Sequence, residues 1–176
     1  MPNNRSLIML VDDNATSLRD AQSILADRYD ICTASSVAAM FEMLRVQHPN
    51  LILIDVDMPE INGFKVVEML SQDSNTVNIP LMFLVEKYDL AEYQDRLNAN
   101  TVGYICKPFF GPVFIKRIET QLFMATQQEA IRSQQRVFQT FSSNLQKMVK
   151  DMSVVIEAES QRVWELQTAV ISVMAE

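Results

Sequence analysis

A chain of 176 residues has room for one ordinary domain and an extension. Its 48% hydrophobic and 21% charged residues are the balance of a folded globular protein, not of a disordered or fibrous one. The net charge of −7 is unevenly placed: residues 1–110 hold 8 Lys/Arg against 15 Asp/Glu, whereas residues 111–176 hold 7 of each. The first part would repel a phosphate backbone and the second has no dense basic stripe, which argues against nucleic acid as a partner.

In chain order, Leu7–Val11 is an apolar run too short for a signal peptide, and no segment reaches transmembrane length. The expected setting is the cytoplasm, with no membrane partner. The same run reads as a first buried strand. Asp12 and Asp13 close it, and Asn14 is placed to cap a helix from Ala15, with Leu18, Ala21, Ile24 and Leu25 on its apolar face. Tyr29 to Thr33 is a second strand. Ser35 or Ser36 caps a second helix, with Val37, Met40, Phe41 and Leu44 on one face and an end expected near His48-Pro49. Leu51 to Ile54 is a third strand with no polar face, and Asp55 stands at its carboxyl end. Pro59 and Gly63 mark a turn into a third helix bearing Phe64, Val67, Met69 and Leu70. Pro80 introduces a fourth strand, Leu81 to Val85. A weak helix is expected over Tyr88–Leu97, stopped at Asn100, and Gly103 to Cys106 is a fifth strand ending at Lys107-Pro108.

Strand-then-helix units repeated five times predict an α/β fold: a five-stranded parallel sheet, doubly wound. The strand ends then bring Asp12, Asp13, Asp55 and Lys107 to one rim, where open α/β sheets keep their sites. Taken singly, an acidic pair after a strand is turn and cap chemistry, and a lone Asp or Lys there is solvated. Their coincidence at one rim is what carries weight. Three clustered carboxylates are hard oxygen ligands suited to octahedral Mg²⁺, which lets an anionic carboxylate meet an anionic phosphoryl group. Lys107 adds a point charge, and Asp55 is the candidate nucleophile for phosphoryl transfer. Cys32 and Cys106 fit no metal spacing and are expected as reduced, packed thiols. His48 is the only histidine and reads as an ordinary helix-end residue.

The motifs VDDN at 11–14, LIDVDMP at 53–59, NGF at 62–64 and YICKPF at 104–109 resemble those of the receiver domains of two-component response regulators, over roughly residues 5–125. The resemblance implies a flavodoxin-like receiver fold with Asp55 as phospho-acceptor. It implies Asp12, Asp13, Asp55 and the backbone carbonyl of Asp57 as Mg²⁺ ligands. Lys107 would be the strand-five lysine, before a proline whose peptide bond is typically cis. Tyr104 would be the aromatic residue that changes rotamer on activation. The implied partner is a sensor histidine kinase or phosphotransfer protein. One departure stands out. The family carries Thr or Ser at the end of strand four, where this chain has Val85, and Ala or Gly next, where it has Glu86. Valine keeps threonine's shape but loses the hydroxyl, and Glu86 is bulky and anionic. Asp57 and Lys87 border the same site and could pair.

After Gly111-Pro112 no further Gly or Pro occurs through Glu176, a stretch of about 97 Å if wholly helical. Phe114, Ile115, Ile118 and Leu122 should complete the receiver. Further on, Phe138, Phe141, Leu145, Met148, Met152 and Val155 follow heptad spacing, and Ile156, Val163, Leu166, Val170 and Val173 continue it after a stutter. A receiver domain over 1–125 is therefore expected, followed by a coiled-coil segment over 126–176 that makes a homodimer, with a parallel pair as the first choice. The last residues, RVWELQTAVISVMAE, resemble the opening helix of HD-GYP output domains, the cyclic di-GMP phosphodiesterases. The chain is then expected to be a regulatory module and not an enzyme. The competing expectation is a degenerate receiver acting as a phosphorylation-independent scaffold.

Overall fold

The structure, a computed structural model, describes residues 5–59, 61–89, 91–93 and 103–174, with side chains through 168. Five strands, β1 (Leu7–Val11), β2 (Asp30–Ala34), β3 (Leu51–Asp55), β4 (Leu81–Glu86) and β5 (Gly103–Lys107), form one parallel sheet in the order β2-β1-β3-β4-β5. Helices α1 (Ala15–Leu25), α2 (Val37–Leu44), α3 (Gly63–Ser71) and α4 (Gly111–Met174) accompany it. This is the doubly wound, flavodoxin-like receiver fold with a long C-terminal helix.

The central strands are apolar throughout because each is buried on both faces. Along β1, Met9 and Val11 join one core cluster and Ile8 and Leu10 the other. Along β3 and β4 the same alternation gives Ile52, Ile54, Phe83 and Val85 to the first and Leu51, Leu53, Met82 and Leu84 to the second. The first cluster is closed by Val37, Met40 and Leu44 of α2 and by Phe64, Val66 and Leu70 of α3. The second is closed by Ala21 and Leu25 of α1 and by Phe114 and Ile118 from the start of α4.

Polar side chains set the helix starts. Asn14 Oδ1 accepts from the Thr16 and Ser17 amides, Ser36 Oγ from the Ala39 amide and Asn62 Oδ1 from the Phe64 amide. Each such cap is worth about 1 kcal/mol. Helix α2 ends at Leu44, short of the expected stop beside Pro49. Leu44 is its last core residue, and Val46, two residues on, is exposed. The chain instead tightens, with the Val46 and Gln47 amides both donating to the Met43 carbonyl. Of the weak helix expected over Tyr88–Leu97, Tyr88 and Asp89 lie in a turn and residues 91–93 are helical; Leu90 and residues 94–97, with Asn100, lie outside the described residues. Cys32 and Cys106 are free thiols, each only half-buried.

The chain divides into two compact units, Met1–Thr126 and Gln127–Glu176. In the second, the side chains of Phe138, Phe141, Leu145, Met148, Met152 and Val155 are all exposed on the helix. Among the described residues no helix is long and apolar enough to cross a membrane.

Gly63 fixes the approach of α3 to the end of β3. A Cβ there would stand 2.7 Å from the Asp55 carbonyl oxygen and 3.2 Å from the Phe83 ring. The first of these is a backbone atom that cannot yield cheaply. Gly63→Ala is expected to lower stability by about 1–3 kcal/mol, as overpacking does, read as a reduced urea midpoint with an unchanged m-value.

Candidate functional site

The strand order reverses between β1 and β3, and the carboxyl ends of these neighbours carry the acidic residues. Asp12 is fully buried. Its Oδ1 accepts from the Asn14 amide at 2.8 Å, and its Oδ2 accepts from the Ser17 hydroxyl at 2.6 Å and from Lys107 Nζ at 2.8 Å. Asp13, next along, is exposed. Asp55 is buried at the end of β3, and its Oδ1 accepts from Lys107 Nζ at 2.9 Å. Ligand atoms of Asp12, Asp13 and Asp55 lie within 4.8 Å of one another. These are hard oxygen donors from three carboxylates, the donor set that an octahedral Mg²⁺ accepts.

Two opposing effects act on Asp55. Burial pushes its carboxyl up and the hydrogen bond and charge of Lys107 pull it down, while the charges of Asp12 and Asp57 push it up again. Burial wins, and the group is raised from 3.8 to about 6. For Lys107, burial acts to lower the value, but the bonds to Asp12 and Asp55 outweigh it and leave the ammonium above its ordinary value. The Lys107–Pro108 peptide bond is cis.

Around this centre, Val85 is buried against the first core cluster. Glu86, the next residue, has Oε1 4.0 Å from Lys107 Nζ. Tyr104 is half-buried and packs against the same cluster as Val85. Asp57 is exposed, and its carboxylate takes a hydrogen bond from the Tyr93 hydroxyl rather than from Lys87. That bond is the leading reason the Tyr93 phenol is pushed above its usual range.

Asp12, Asp13, Asp55 and Lys107 are thus brought together, with Glu86 beside Lys107 and Asp57 close enough to act on Asp55, while Val85 and Tyr104 pack in the core below the rim. Three participants were not foreseen. Ser17 braces Asp12 from the first turn of α1, where a serine also passes for helix surface. Tyr93 reaches Asp57 and lies 5.8 Å, ring to ring, from Phe64. Arg117 of α4 donates to the Tyr104 carbonyl, and its guanidinium carbon lies 5.2 Å from the centre of the Tyr104 ring. The last two contacts are long-range, and no local pattern marks them.

Comparison with known proteins identifies the family. The family model for the response regulator receiver domain matches residues 8–119. A protein of Vibrio cholerae named "Probable cyclic di-GMP phosphodiesterase" is 30% identical over 115 residues; the match takes 65% of this chain and 26% of that protein. The chain therefore spans about a quarter of that relative's length. The polar-differentiation response regulator DivK of Brucella ovis is 28% identical over 117 residues, 65% of this chain and 94% of that protein. Among solved structures, a chemotaxis response regulator of Vibrio cholerae superposes with a TM-score of 0.60 at 22% identity, covering 66% of this chain and 98% of that one, a likeness of fold. Receiver domains bind Mg²⁺ at an acidic cluster and work with histidine kinases or phosphotransfer proteins, and by the matched family and the fold this chain belongs to the response regulator receiver domains of two-component signalling.

Proposed function

We propose that Asp55 accepts a phosphoryl group from a histidine kinase or phosphotransfer protein, and that the signal leaves through the C-terminal helix. The observation that carries this reading is Lys107 hydrogen-bonded to Asp12 and Asp55 at once, beside three carboxylates close enough to share one cation. Asp12, Asp13, Asp55 and the Asp57 backbone carbonyl would hold Mg²⁺, which when bound offsets the negative charge that a phosphoryl group meets. Asp55 Oδ1 is engaged by Lys107, so Oδ2 is the attacking oxygen. An O–P bond forms, the P–N bond to the donor's histidine breaks, and the electron pair stays with the imidazole. Val85 and Tyr104 form the switch.

The receiver is taken as residues 1–125, and 126–176 as a helical segment that forms a coiled-coil homodimer. Its support is the exposed apolar series from Phe138 to Val155, since a long apolar stripe on a helix calls for a partner. An output of the HD-GYP class fits the sequence RVWELQTAVISVMAE and the name of the Vibrio relative. The second reading, a scaffold that does not switch, is favoured by the missing hydroxyl at Val85 and the carboxylate of Glu86 beside Lys107.

Acetyl phosphate with Mg²⁺ should add one phosphoryl group to the wild type and none to Asp55→Asn, as read by intact-mass spectrometry. An unlabelled wild type, under conditions that label an ordinary receiver, favours the scaffold.

A second expectation concerns the metal-free protein. The folded midpoint of Asp55, about 6, lies above its ordinary 3.8, so the folded state holds this proton more tightly than the unfolded one. Its contribution to stability is complete below 3.8 and lost as pH rises through about 6. In EDTA near neutral pH, Asp55→Asn should therefore melt above wild type, with the gap closing as pH falls toward 4. Adding Mg²⁺ should raise the wild-type melting temperature more than that of the variant. A variant that melts below wild type in EDTA contradicts this account of the carboxylate.

The full chain should sediment as a dimer at micromolar concentration. Leu145→Asp, which sets a charge in the seam, should shift it toward monomer. A wild-type monomer rejects the dimeric helix.

A further inference from the structure

One charge beside the site has no part in the proposed transfer. Glu86 ends β4 and pairs in register with Lys107 on β5. Its Oε1 lies 4.0 Å from Lys107 Nζ. An ammonium has three N–H donors, and two are committed to Asp12 at 2.8 Å and Asp55 at 2.9 Å. The third is the one that an oxygen of a phosphoryl group on Asp55 needs, and Glu86 is the anion beside it. Val85 cannot take the place of that donor, because it is aliphatic and buried. The three carboxylates also differ in what they can do. The side chains of Asp12 and Asp55 are 1% and 11% exposed, so neither can withdraw into water, whereas that of Glu86 is 37% exposed and can.

We propose that Glu86 is a positioning residue: it competes for the third Lys107 N–H and must turn away before a phosphoryl group on Asp55 can use that donor. The proposal rests on the reading of Asp55 as acceptor and deepens it, by assigning the residue that restrains the reaction. In transfer from acetyl phosphate, the Asp55 Oδ2–P bond forms, the P–O bond to acetate breaks, and acetate leaves with the electron pair. Glu86 changes no bond in this sequence. It adds one negative charge facing the incoming dianion and lends Lys107 a counter-ion that the phosphoryl group has to displace. A unit charge at a few ångströms, in a medium between water and protein interior, amounts to about tenfold in rate.

The test compares the full-length wild type with E86Q, E86D and E86A, labelled with acetyl phosphate and Mg²⁺ at low and at high salt. Melting curves in EDTA verify that each variant is folded. Glutamine keeps the size and removes the charge, aspartate keeps the charge, and alanine removes both. The expected result is that E86Q labels about tenfold faster than wild type at low salt, that E86D stays slow, and that E86A is no faster than E86Q. The advantage of E86Q should shrink at high salt, because screening weakens a charge effect and leaves a steric one untouched. A wild type that labels at the same rate as E86Q overturns this proposal alone. So does a gain seen in E86A but not in E86Q, which assigns the effect to bulk. If no version labels, the reading of Asp55 as acceptor falls and takes this proposal with it.

Discussion

The acidic rim depends on one ammonium. Asp12 and Asp55 end adjacent central strands and are both buried, so each would face the other's charge in a poorly solvated setting. Lys107 reaches them from β5, with β4 lying between β5 and β3. Asp55 is two strand spacings from β5 and Asp12 three, about 10 and 14 Å, gaps closed jointly by the long lysine stem and by the aspartate side chains reaching toward it. The resulting ion pairs do not make the site comfortable. Burial still dominates at Asp55, which remains near 6 with the lysine bonded to it. Removing Lys107 would strand both carboxylates, and breaking a buried pair in that way typically costs about 3–5 kcal/mol, whereas loss of the Asp55 charge leaves Lys107 paired with Asp12. The lysine thus makes the cluster tolerable without neutralising it, and the residual negative charge is what a divalent cation can answer.

This tension explains why the surroundings are so thoroughly braced. Asp12 spends both carboxylate oxygens on protein donors, from Asn14, Ser17 and Lys107. The Asn14 that donates its amide to Asp12 also caps α1 with its side chain, so the helix start and the acidic residue are fixed by the same turn. On the other side, Gly63 lets the start of α3 press against the Asp55 carbonyl, where any larger residue would collide. The site is held by the ends of the elements, as expected when the topology itself brings those ends together.

Much of this was legible because local pattern and global fold agree. The runs Leu7 to Val11, Leu51 to Ile54 and Leu81 to Val85 are apolar without alternation because helices cover both faces of the sheet. Asn14, Ser36 and Asn62 announce helices by the chemistry of their own side chains. From parallel strands the shared rim follows, and with it Asp12, Asp55 and Lys107. What sequence could not reveal depends on tertiary reach. The end of α2 is decided by where its core contact runs out at Leu44, not by the proline that attracts notice at Pro49. The partner of Asp57 is decided by the path of the chain after β4, which carries Tyr93 back to the loop after β3. Lys87 was the expected partner because it and Asp57 were both placed at the border of the site, yet a place at a strand end says little about which way a side chain turns.

Arg117 shows how an unforeseen contact can matter for the output. Strand β5 is the edge of the sheet, and its two faces belong to different cores. Tyr104 packs with the cluster that contains Val85, while the first turns of α4 pack, through Phe114 and Ile118, with the other. Arg117 joins the two sides: it starts from α4, donates to the Tyr104 carbonyl and approaches the Tyr104 ring. An arginine suits this task because its flat guanidinium can donate a hydrogen bond and also lie against an aromatic face, which a lysine ammonium does less well. On the proposed switch, a rotamer change of Tyr104 would alter the ring contact with the guanidinium. The carbonyl bond belongs to the backbone and does not depend on the ring's rotamer, so Arg117 could stay attached to the strand if the ring moved. A cation–π contact at an exposed site is worth about 0.5–1 kcal/mol. That is enough to bias a rotamer and too little to forbid it, so this contact suits a poised switch better than a lock.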